Sequence, residues 1–278
     1  YQSKNVHDSW IVNGGWNLRY CQYLVASGST DSYDFTQYGA KADLHYEVLQ
    51  SGNGSSNIQF SWFTPSESRS LRYCVMALTS SDCFGCVSVR NAQYCILNKQ
   101  YTKEEYETLM PKIREHMNTM PYADKKGNTY KYGEFFPSEL SPFAYNETTA
   151  QDFFELTQDE CEQKDYVWRE RPVINYAPTQ TVIPDAFIDI PQTVLSEVYA
   201  CANTQKPFRV VASELEFYNR ARLPLPNIHP DERHKRRVIR RGKPIFYKRI
   251  TSDGIEVLTS YESSQSEQIL SEAEYQKR

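Results

Sequence analysis

The chain has 278 residues, 40% hydrophobic and 14% aromatic, with a formal net charge of -4 and a pI near 5.8. This length allows one large or two ordinary domains, and 21 tyrosines exclude a wholly disordered chain, because disordered sequences are poor in aromatic residues. The small net charge predicts no general attraction to nucleic acid or to an anionic membrane. No stretch reaches the roughly 18 apolar residues of a membrane helix, and the N-terminus lacks a signal-peptide pattern. We therefore expect a soluble, cytoplasmic protein whose seven cysteines are reduced thiols.

The first hundred residues contain a repeat. Similar strings begin at Leu18 ("LRYCQYLV"), Leu44 ("LHYEVLQS"), Leu71 ("LRYCVMAL") and Ala92 ("AQYCILNK"), at steps of 26, 27 and 21 residues. A second short element precedes each string, and turn-rich stretches such as "SGNGSSN" separate the two. Such a period favours a right-handed parallel β-solenoid over residues 1–100, with a meandering antiparallel sandwich as the alternative.

Four cysteines of this region follow a C-x8-C-x2-C-x8-C pattern: Cys74, Cys83, Cys86 and Cys95. Four thiolates at such spacing could hold zinc tetrahedrally. However, Cys21, Cys74 and Cys95 occupy the same position of the repeat, which Glu47 fills in the repeat between Cys21 and Cys74. A column of small, soft side chains on neighbouring coils accounts for the pattern without metal. We predict such a column and keep a zinc site as the alternative.

Residues 101–170 change period and predict a helical cap followed by an ordered connection. Thr102 and Glu105 form a capping box, and Pro111 is expected to kink the helix or to split it in two. The apolar face of this helix consists of Tyr106, Leu109, Met110, Ile113 and Met117. We expect it to cover the unpaired end of the solenoid.

A second capping box, Thr157 with Glu160, predicts a short helix before Trp168. The stretch "RPVINYAPTQTVIPD" then predicts a linker at 171–186, with the domain boundary inside it.

Residues 187–278 predict a second module of helices and short strands. A helix through "PQTVLSEVYACA", a strand "FRVV" and a helix opened by Ser213 with Glu216 come first. A basic helix begins at Pro230 and ends at Gly242, because proline suits a first helical position and glycine a C-terminal cap. A hairpin around residues 252–254 and a short helix near Ser271 complete the module.

Several strings resemble a cysteine-rich, zinc-ribbon-containing protein family of candidate-phyla-radiation bacteria. They are "SSDCFGCVSVRNAQYCILNKQYTKEEYE", "KYGEFFPSELSPFAYNET", "FRVVASELEFYNRARLPLP" and "HPDERHKRR". The resemblance covers most of the chain and implies an architecture rather than an activity. Members carry zinc-ribbon knuckles of the forms C-P-x-C, C-x2-C-G and C-x2-C-Y.

At those knuckles this chain has His229 and Glu232, then "TSDG", then Ser271 and Glu274. The resemblance therefore implies a zinc-ribbon-like module that lacks its metal ligands. Packing of apolar hairpin residues is expected to replace the metal: Phe246, Tyr247, Ile255, Val257 and Leu258.

The basic helix is the strongest functional signal. Residues 219–249 carry eleven Lys and Arg against two acids, a local charge of +9 that leaves -13 on the rest of the chain. At about 100° per residue its five arginines fall within an arc of about 140°, while Val238 and Ile239 lie on the opposite side. Guanidinium groups suit bidentate contact with phosphate, and no base-reading pattern is visible. The predicted nucleic-acid contacts are Arg233, Arg236, Arg237, Arg240, Arg241, Lys243 and Lys248.

Alternatives to nucleic-acid binding stay open. The basic face could be an ordinary solvated surface paired with the acidic remainder of the chain, or a contact for an acidic protein partner. A phosphodiesterase would need a divalent ion, for which the candidate ligands are His229, Asp231, Glu232 and His234. Because Asp231 and Glu232 equally suit a first helical turn, and no nucleophile motif or phosphate loop is present, we predict a non-catalytic binding protein without cofactor. A scaffold or self-assembling protein that uses the solenoid surfaces is the alternative function.

Overall fold

The computed structural model describes residues 2–170, 172, 177–179 and 182–277. The chain divides into two compact units, Tyr1–Pro142 and Phe143–Arg278. The predicted linker at 171–186 includes residues 171, 173–176, 180 and 181, which lie outside the described residues.

Unit 1 is built on one sheet of eleven strands. The strands are β1 Lys4–His7, β2 Trp10–Val12, β3 Trp16–Arg19, β4 Gln22–Leu24, β5 Thr30–Tyr38, β6 Tyr46–Ser51, β7 Ser56–Thr64, β8 Arg69–Arg72, β9 Ser81–Phe84, β10 Gln93–Ile96 and β11 Lys99–Gln100. The strands pair in parallel from β1 to β10, and only β11 pairs antiparallel, with β10. The parallel β-solenoid predicted for residues 1–100 is confirmed.

Each coil of the solenoid is about half the length of the predicted repeat. Arg69 pairs with Ser81 and Ser81 with Gln93, at steps of 12 residues, whereas Tyr33 pairs with Tyr46 at a step of 13. The 26- and 27-residue steps of the sequence therefore span two coils each. The similar strings accordingly recur on alternate coils rather than on every coil.

A backbone conformation that recurs every three residues produces these short coils. In the sixth and seventh coils, a left-handed backbone conformation recurs at Tyr73 (φ 53°), Met76 (φ 56°), Thr79 (φ 48°) and Asp82 (φ 51°). The residue after each of these points into the coil and is buried. A left-handed conformation costs an ordinary residue about 1–2 kcal/mol, and Asn and Asp tolerate it best. Many corners accordingly carry these types: Asn5, Asp8, Asn17, Asp31, Asp34, Asn53, Asn57, Asp82 and Asn91.

The lumen is narrow and is filled mainly by small side chains. Inward serines and cysteines donate to the carbonyl oxygen two residues earlier, as Ser61 does to Gln59 (2.8 Å) and Cys74 to Arg72 (3.4 Å). The Ser61 hydroxyl also accepts the backbone N–H of Cys74 on the next coil, at 3.0 Å. Each such side chain therefore satisfies backbone groups at a corner, which explains why small polar residues are buried here.

The cysteines form two lumen columns rather than one. Cys83 and Cys95 are direct partners in the β9–β10 pairing, and Leu71 precedes them in the same column. Cys74 and Cys86 lie one side further round the coil, next to the bridge that joins Val75 and Val87. The prediction that Cys95 shares a position with Cys21 and Cys74 was therefore wrong, since a shift of three residues leads from one inward position to the next. Glu47 is not in the lumen either, because Val48 holds the inward position beside Phe35.

One histidine lies among these small side chains. His45 is 1% exposed, and its imidazole contacts the hydroxyls of Ser51 and Ser55, each at 3.0 Å. Its Nδ1 donates to the carbonyl oxygen of Asp43 at 2.9 Å, and its ring stacks on Phe35. Burial lowers the pKa of His45 to about 4, so the ring is neutral at physiological pH.

Helix α1 (Lys103–Thr119) follows the last coil, and its predicted capping box at Thr102 and Glu105 is present. The helix is continuous across Pro111, so the proline does not split it in two. Side chains on both sides of the proline pack against the last coils, which holds the two halves together: Tyr106 and Met110 before it, Ile113 and Met117 after it. The hairpin β12 (Tyr122–Ala123) and β13 (Thr129–Tyr130) and a 3-10 turn at Ser138–Leu140 complete unit 1.

Unit 2 consists, over its described residues, of short helices, 3-10 turns and two two-stranded sheets. Its helices are α2 Thr149–Phe153, α3 Gln158–Gln163, α4 Ala212–Ala221, α5 Pro230–Arg241 and α6 Glu272–Tyr275, with 3-10 turns at Tyr145–Glu147, Phe187–Asp189 and Gln192–Leu195. Its strands are β14 Tyr199–Ala200, β15 Pro207–Phe208, β16 Tyr247–Ile250 and β17 Glu256–Thr259. The core contains Val194, Tyr199, Cys201, Phe208, Val210 and Leu225.

Two local predictions in this unit were wrong. The helix expected through "PQTVLSEVYACA" is only a 3-10 turn followed by β14, because Tyr199 is buried and pairs with Phe208 on β15. Helix α4 starts after Val211 without a side-chain cap, so the expected box of Ser213 and Glu216 does not form.

Candidate nucleic-acid interface

The basic helix α5 has the limits that the sequence predicts. Pro230 is its first residue, and the His229 ring accepts the backbone N–H of Asp231 at 3.1 Å as an N-cap. Gly242 ends the helix in a left-handed conformation (φ 71°). The acids of the first turn and the arginines of the last turn both complement the helix dipole.

Only one of the two apolar residues of α5 is buried. Val238 is 8% exposed, whereas Ile239 is 70% exposed. Both line a cavity of about 350 Å³ together with Phe153 and Tyr247. The apolar side of α5 is therefore only partly covered: Val238 is buried, whereas Ile239, about 100° away on the helix, stays exposed.

Several cations of α5 are engaged within unit 2. Arg233 donates to Glu214 at 2.9 Å and to the Tyr218 hydroxyl at 3.2 Å, both on α4. His234 contacts Asp152 at 2.9 Å and Lys235 lies 4.0 Å from Glu155. The Arg241 guanidinium lies over the ring of Phe153, with 5.6 Å to its centroid. Part of the predicted arc is therefore paired with acidic and aromatic neighbours in unit 2.

Four predicted contacts remain open to solvent. Arg236, Arg237, Arg240 and Lys243 are exposed, and within the residues that the structure describes none of them has an ion-pair partner. The three arginines span an arc of about 100° on the helix. They form a compact group of positive charge, which we call the free arginine face: Arg236, Arg237 and Arg240.

Beyond the helix, the positive charge of the hairpin is used locally. Lys248 pairs with Glu256 across β16 and β17 at 3.0 Å. Arg249 donates to the carbonyl oxygens of Tyr261, Glu262 and Glu267 and so fixes the segment after the hairpin. The sequence could not indicate these roles, because the partners lie eight to eighteen residues away, Glu256 on the facing strand and the acceptors of Arg249 in the irregular segment after the hairpin.

Three of the four candidate ligands of a divalent ion have other partners within unit 2. His234 contacts Asp152 on α2, while Asp231 pairs with Lys206 at 2.8 Å. His229 caps the helix, and burial lowers its pKa although Asp231 opposes this shift. Across the described ranges of the chain, no group of three or more His, Cys, Asp or Glu side chains is arranged to hold a metal ion.

Cys201 lies beneath the start of α5. Its thiol is fully buried and accepts the backbone N–H of His229 at 3.3 Å. Burial raises the pKa of Cys201, but hydrogen bonds from His229 and Thr204 outweigh it and bring the pKa to about 7. This thiol therefore joins the segment after β14 to the start of the basic helix.

The hairpin and the last helix meet through hydrogen bonds between polar side chains. Asp253 accepts from the hydroxyls of Thr251 and Ser271, the latter at 2.7 Å, and Ser252 donates to Glu274 at 2.6 Å. These bonds lower the pKa of Asp253. The prediction that apolar packing replaces the metal here was wrong, since Phe246, Ile255 and Leu258 are exposed.

The thiols of unit 1 form a separate group. The thiols of Cys74 and Cys83 donate to backbone carbonyl oxygens, those of Arg72 and Ser81 among them. The neighbouring Cys86 thiol and burial raise the pKa of both, whereas the same two neighbours lower the pKa of Cys86. All three are 0% exposed and Cys95 is 5% exposed. Buried thiols whose pKa is raised, as in Cys74 and Cys83, are poor nucleophiles.

Comparison with known proteins leaves the geometry as the guide to function. No protein-family model matches the chain, and no curated protein or solved structure matches it. Among the described residues, no helix is both long and apolar enough to span a membrane.

Proposed function

We propose that this protein is a non-catalytic binding protein whose basic helix contacts the phosphates of nucleic acid. One observation carries the proposal: the free arginine face is exposed and has no ion-pair partner in the part of the chain that the structure describes, although neighbouring cations of the same helix are paired with acids of unit 2. Three guanidiniums within about 100° of arc suit successive phosphates of one strand, and Lys243 extends the group beyond Gly242.

The ion pairs that α5 forms within unit 2 support phosphate contact in a second way. Arg233 and Lys235 are held by Glu214 and Glu155, which keeps the first turns of α5 in place while Arg236, Arg237 and Arg240 face solvent. A helix fixed in this way presents its charges with little loss of side-chain and backbone freedom on binding. Binding through phosphates alone predicts affinity for DNA and RNA without sequence preference.

We also propose that unit 2 is a zinc-ribbon-like module without metal. The support is spatial: the "TSDG" hairpin and the Ser271 to Glu274 segment, which the family resemblance marks as two knuckles, are joined by hydrogen bonds of Asp253 and Glu274. Where a zinc ion would link two cysteine pairs, carboxylates and hydroxyls make the link.

The salt dependence of binding tests the nucleic-acid proposal. Titration of duplex DNA and single-stranded RNA, followed by fluorescence anisotropy, is expected to give a log-log slope of about -3 to -4 for duplex DNA, because three or four phosphates are engaged. A triple variant, R236E with R237E and R240E, is expected to weaken binding by at least about tenfold.

A matched variant tests whether binding depends on the free arginine face or only on the net charge of the protein. K112E with K125E and K131E makes the same change in charge on exposed residues of unit 1 and is expected to bind almost as the parent chain does. Binding that is independent of salt, or equal weakening by both triple variants, contradicts the proposal.

A further inference from the structure

One face of the solenoid carries a row of outward side chains that runs along all its coils. Successive pairings place these residues in one line: His7, Arg19, Tyr33, Tyr46, Gln59, Arg72, Phe84 and Ile96. The next residue on each coil lies at the adjacent corner, which adds Tyr20, Asp34, Glu47, Phe60 and Tyr73. We call this surface the aromatic face.

Unit 1 covers the later half of the aromatic face with its own residues. Phe60 stacks on Tyr73 at 4.9 Å, and Tyr132 packs against both rings. The backbone N–H of Gly133 donates to the Tyr73 hydroxyl at 2.9 Å. Helix α1 covers Phe84 and Ile96 in the same way with Tyr106 and Met110. This half of the face is therefore an established packing surface for polypeptide.

The earlier half of the face is uncovered although it continues the same surface. Tyr20, Tyr33 and Tyr46 are 50%, 46% and 40% exposed, and Tyr46 meets Phe60 edge to face at 5.6 Å. At the edge of the covering segment, Phe135 lines an open cavity of about 290 Å³. Its other walls are Asp34, Thr36, Glu47, Val48 and Leu49. The boundary between covered and uncovered face is thus a pocket with two carboxylates.

The charge of this pocket indicates what it accepts. Asp34 and Glu47 follow the paired residues Tyr33 and Tyr46, so they stand on successive coils, about 4.8 Å apart. Burial raises the pKa of Glu47, and the charge of Asp34 raises it further, while burial raises the pKa of Asp34. Neither carboxylate forms an ion pair with any residue that the structure describes. A cation placed between them relieves their repulsion, whereas a phosphate increases it.

We propose that the uncovered aromatic face at Tyr33, Asp34, Tyr46 and Glu47 binds an extended polypeptide segment of a partner through one or two of its arginine or lysine side chains. The cationic head lies between the two carboxylates, and its aliphatic stem packs on Leu49 and Phe135. The tyrosine rings add cation–π contact. Arg19 precedes Tyr33 in the row, so the acidic part of the face spans two coils. A surface of this length matches a short basic motif in the partner.

The test uses the full chain and a fluorescein-labelled peptide in which arginine alternates with glycine. We expect saturable binding in the submillimolar range, and none to the same peptide with glutamate in place of arginine. D34N with E47Q is expected to weaken binding by about tenfold, because two ion pairs are lost, and Y33L by about threefold. Thermal melts followed by circular dichroism establish that these outward substitutions leave the fold intact.

A matched pair of carboxylates elsewhere on the solenoid serves as the control. E67Q with D82N removes the same charge and is expected to bind the arginine peptide as the parent chain does. The proposal is overturned if the peptide fails to bind at millimolar concentration, or if both double variants weaken binding equally. The triple arginine variant of α5 should bind this peptide normally, so the result is independent of nucleic-acid binding.

Discussion

At the scale of single residues, His45 couples the stability of the solenoid to pH. Its folded-state pKa of about 4 lies below the ordinary value of 6.5, so protonation favours the unfolded chain. The stabilisation is complete above about pH 6.5 and is lost as the pH falls toward 4, by about 3 kcal/mol in total. Urea unfolding followed by tryptophan fluorescence measures this loss, because Trp10, Trp16 and Trp62 all lie in unit 1.

Two glutamine variants isolate the contribution of this histidine. H45Q removes the titrating group and is expected to flatten the decrease in stability between pH 6.5 and 4. H116Q, on the exposed side of α1, is expected to retain the full decrease. An unchanged pH profile in H45Q would show that other groups cause the acid sensitivity.

The buried thiols lead to a second prediction at this scale. Cys74 donates to the Arg72 carbonyl just as Ser61 on the preceding coil donates to that of Gln59. The substitution C74S therefore keeps the hydrogen bond and is expected to cost only about 1 kcal/mol in free energy of unfolding. Metal analysis distinguishes the zinc alternative, which requires one zinc per chain in the parent protein and its loss, with severe destabilisation, in C74S.

At the scale of secondary-structure elements, α1 stabilises the last coils through a few side chains. Met110 is 6% exposed against Phe84 and Ile96, whereas Met120, just past the helix, is 69% exposed. M110A is expected to lower the free energy of unfolding by about 2–4 kcal/mol, because it leaves a cavity under the helix. M120A is expected to change it by less than about 0.5 kcal/mol. Equal effects of the two substitutions in urea unfolding would contradict a capping role for α1.

The basic helix shows which properties of an element can be predicted from sequence. Its ends were correct, because Pro230, Asp231 and Gly242 act through contacts within one helical turn. The sequence could not show which cations of α5 are exposed and which are paired. The partners Glu214 and Asp152 lie 19 and 82 residues away in sequence from the residues that they contact, and they approach the helix only in the folded unit. The burial of Val238 but not of Ile239 has the same origin, since it depends on where α2 lies.

At the scale of the whole molecule, the sequence indicated a parallel solenoid because coils stacked in register must repeat their inward side chains. The coil length could not be obtained from the repeat, because every third residue faces inward. A string such as "RYC" therefore matches equally well when it is shifted by three residues, from one inward position to the next. The polar link between the hairpin and α6 was missed for another reason: Asp253, Ser271 and Glu274 resemble ordinary turn and capping residues. Only their contact in the folded chain shows that they join two segments.

The division into two units predicts that the solenoid folds without the rest of the chain. Both apolar clusters of unit 1, the lumen and the group under α1, are formed by residues before Pro142. A fragment of residues 1–142 is therefore expected to unfold cooperatively in urea and to keep the pH dependence that His45 confers. It is also expected to keep the destabilisation by M110A, since Met110 packs only against groups of unit 1 in its cluster. A fragment that has a disordered circular dichroism spectrum, or that unfolds without cooperativity, would show that residues after Pro142 are required to hold the coils together.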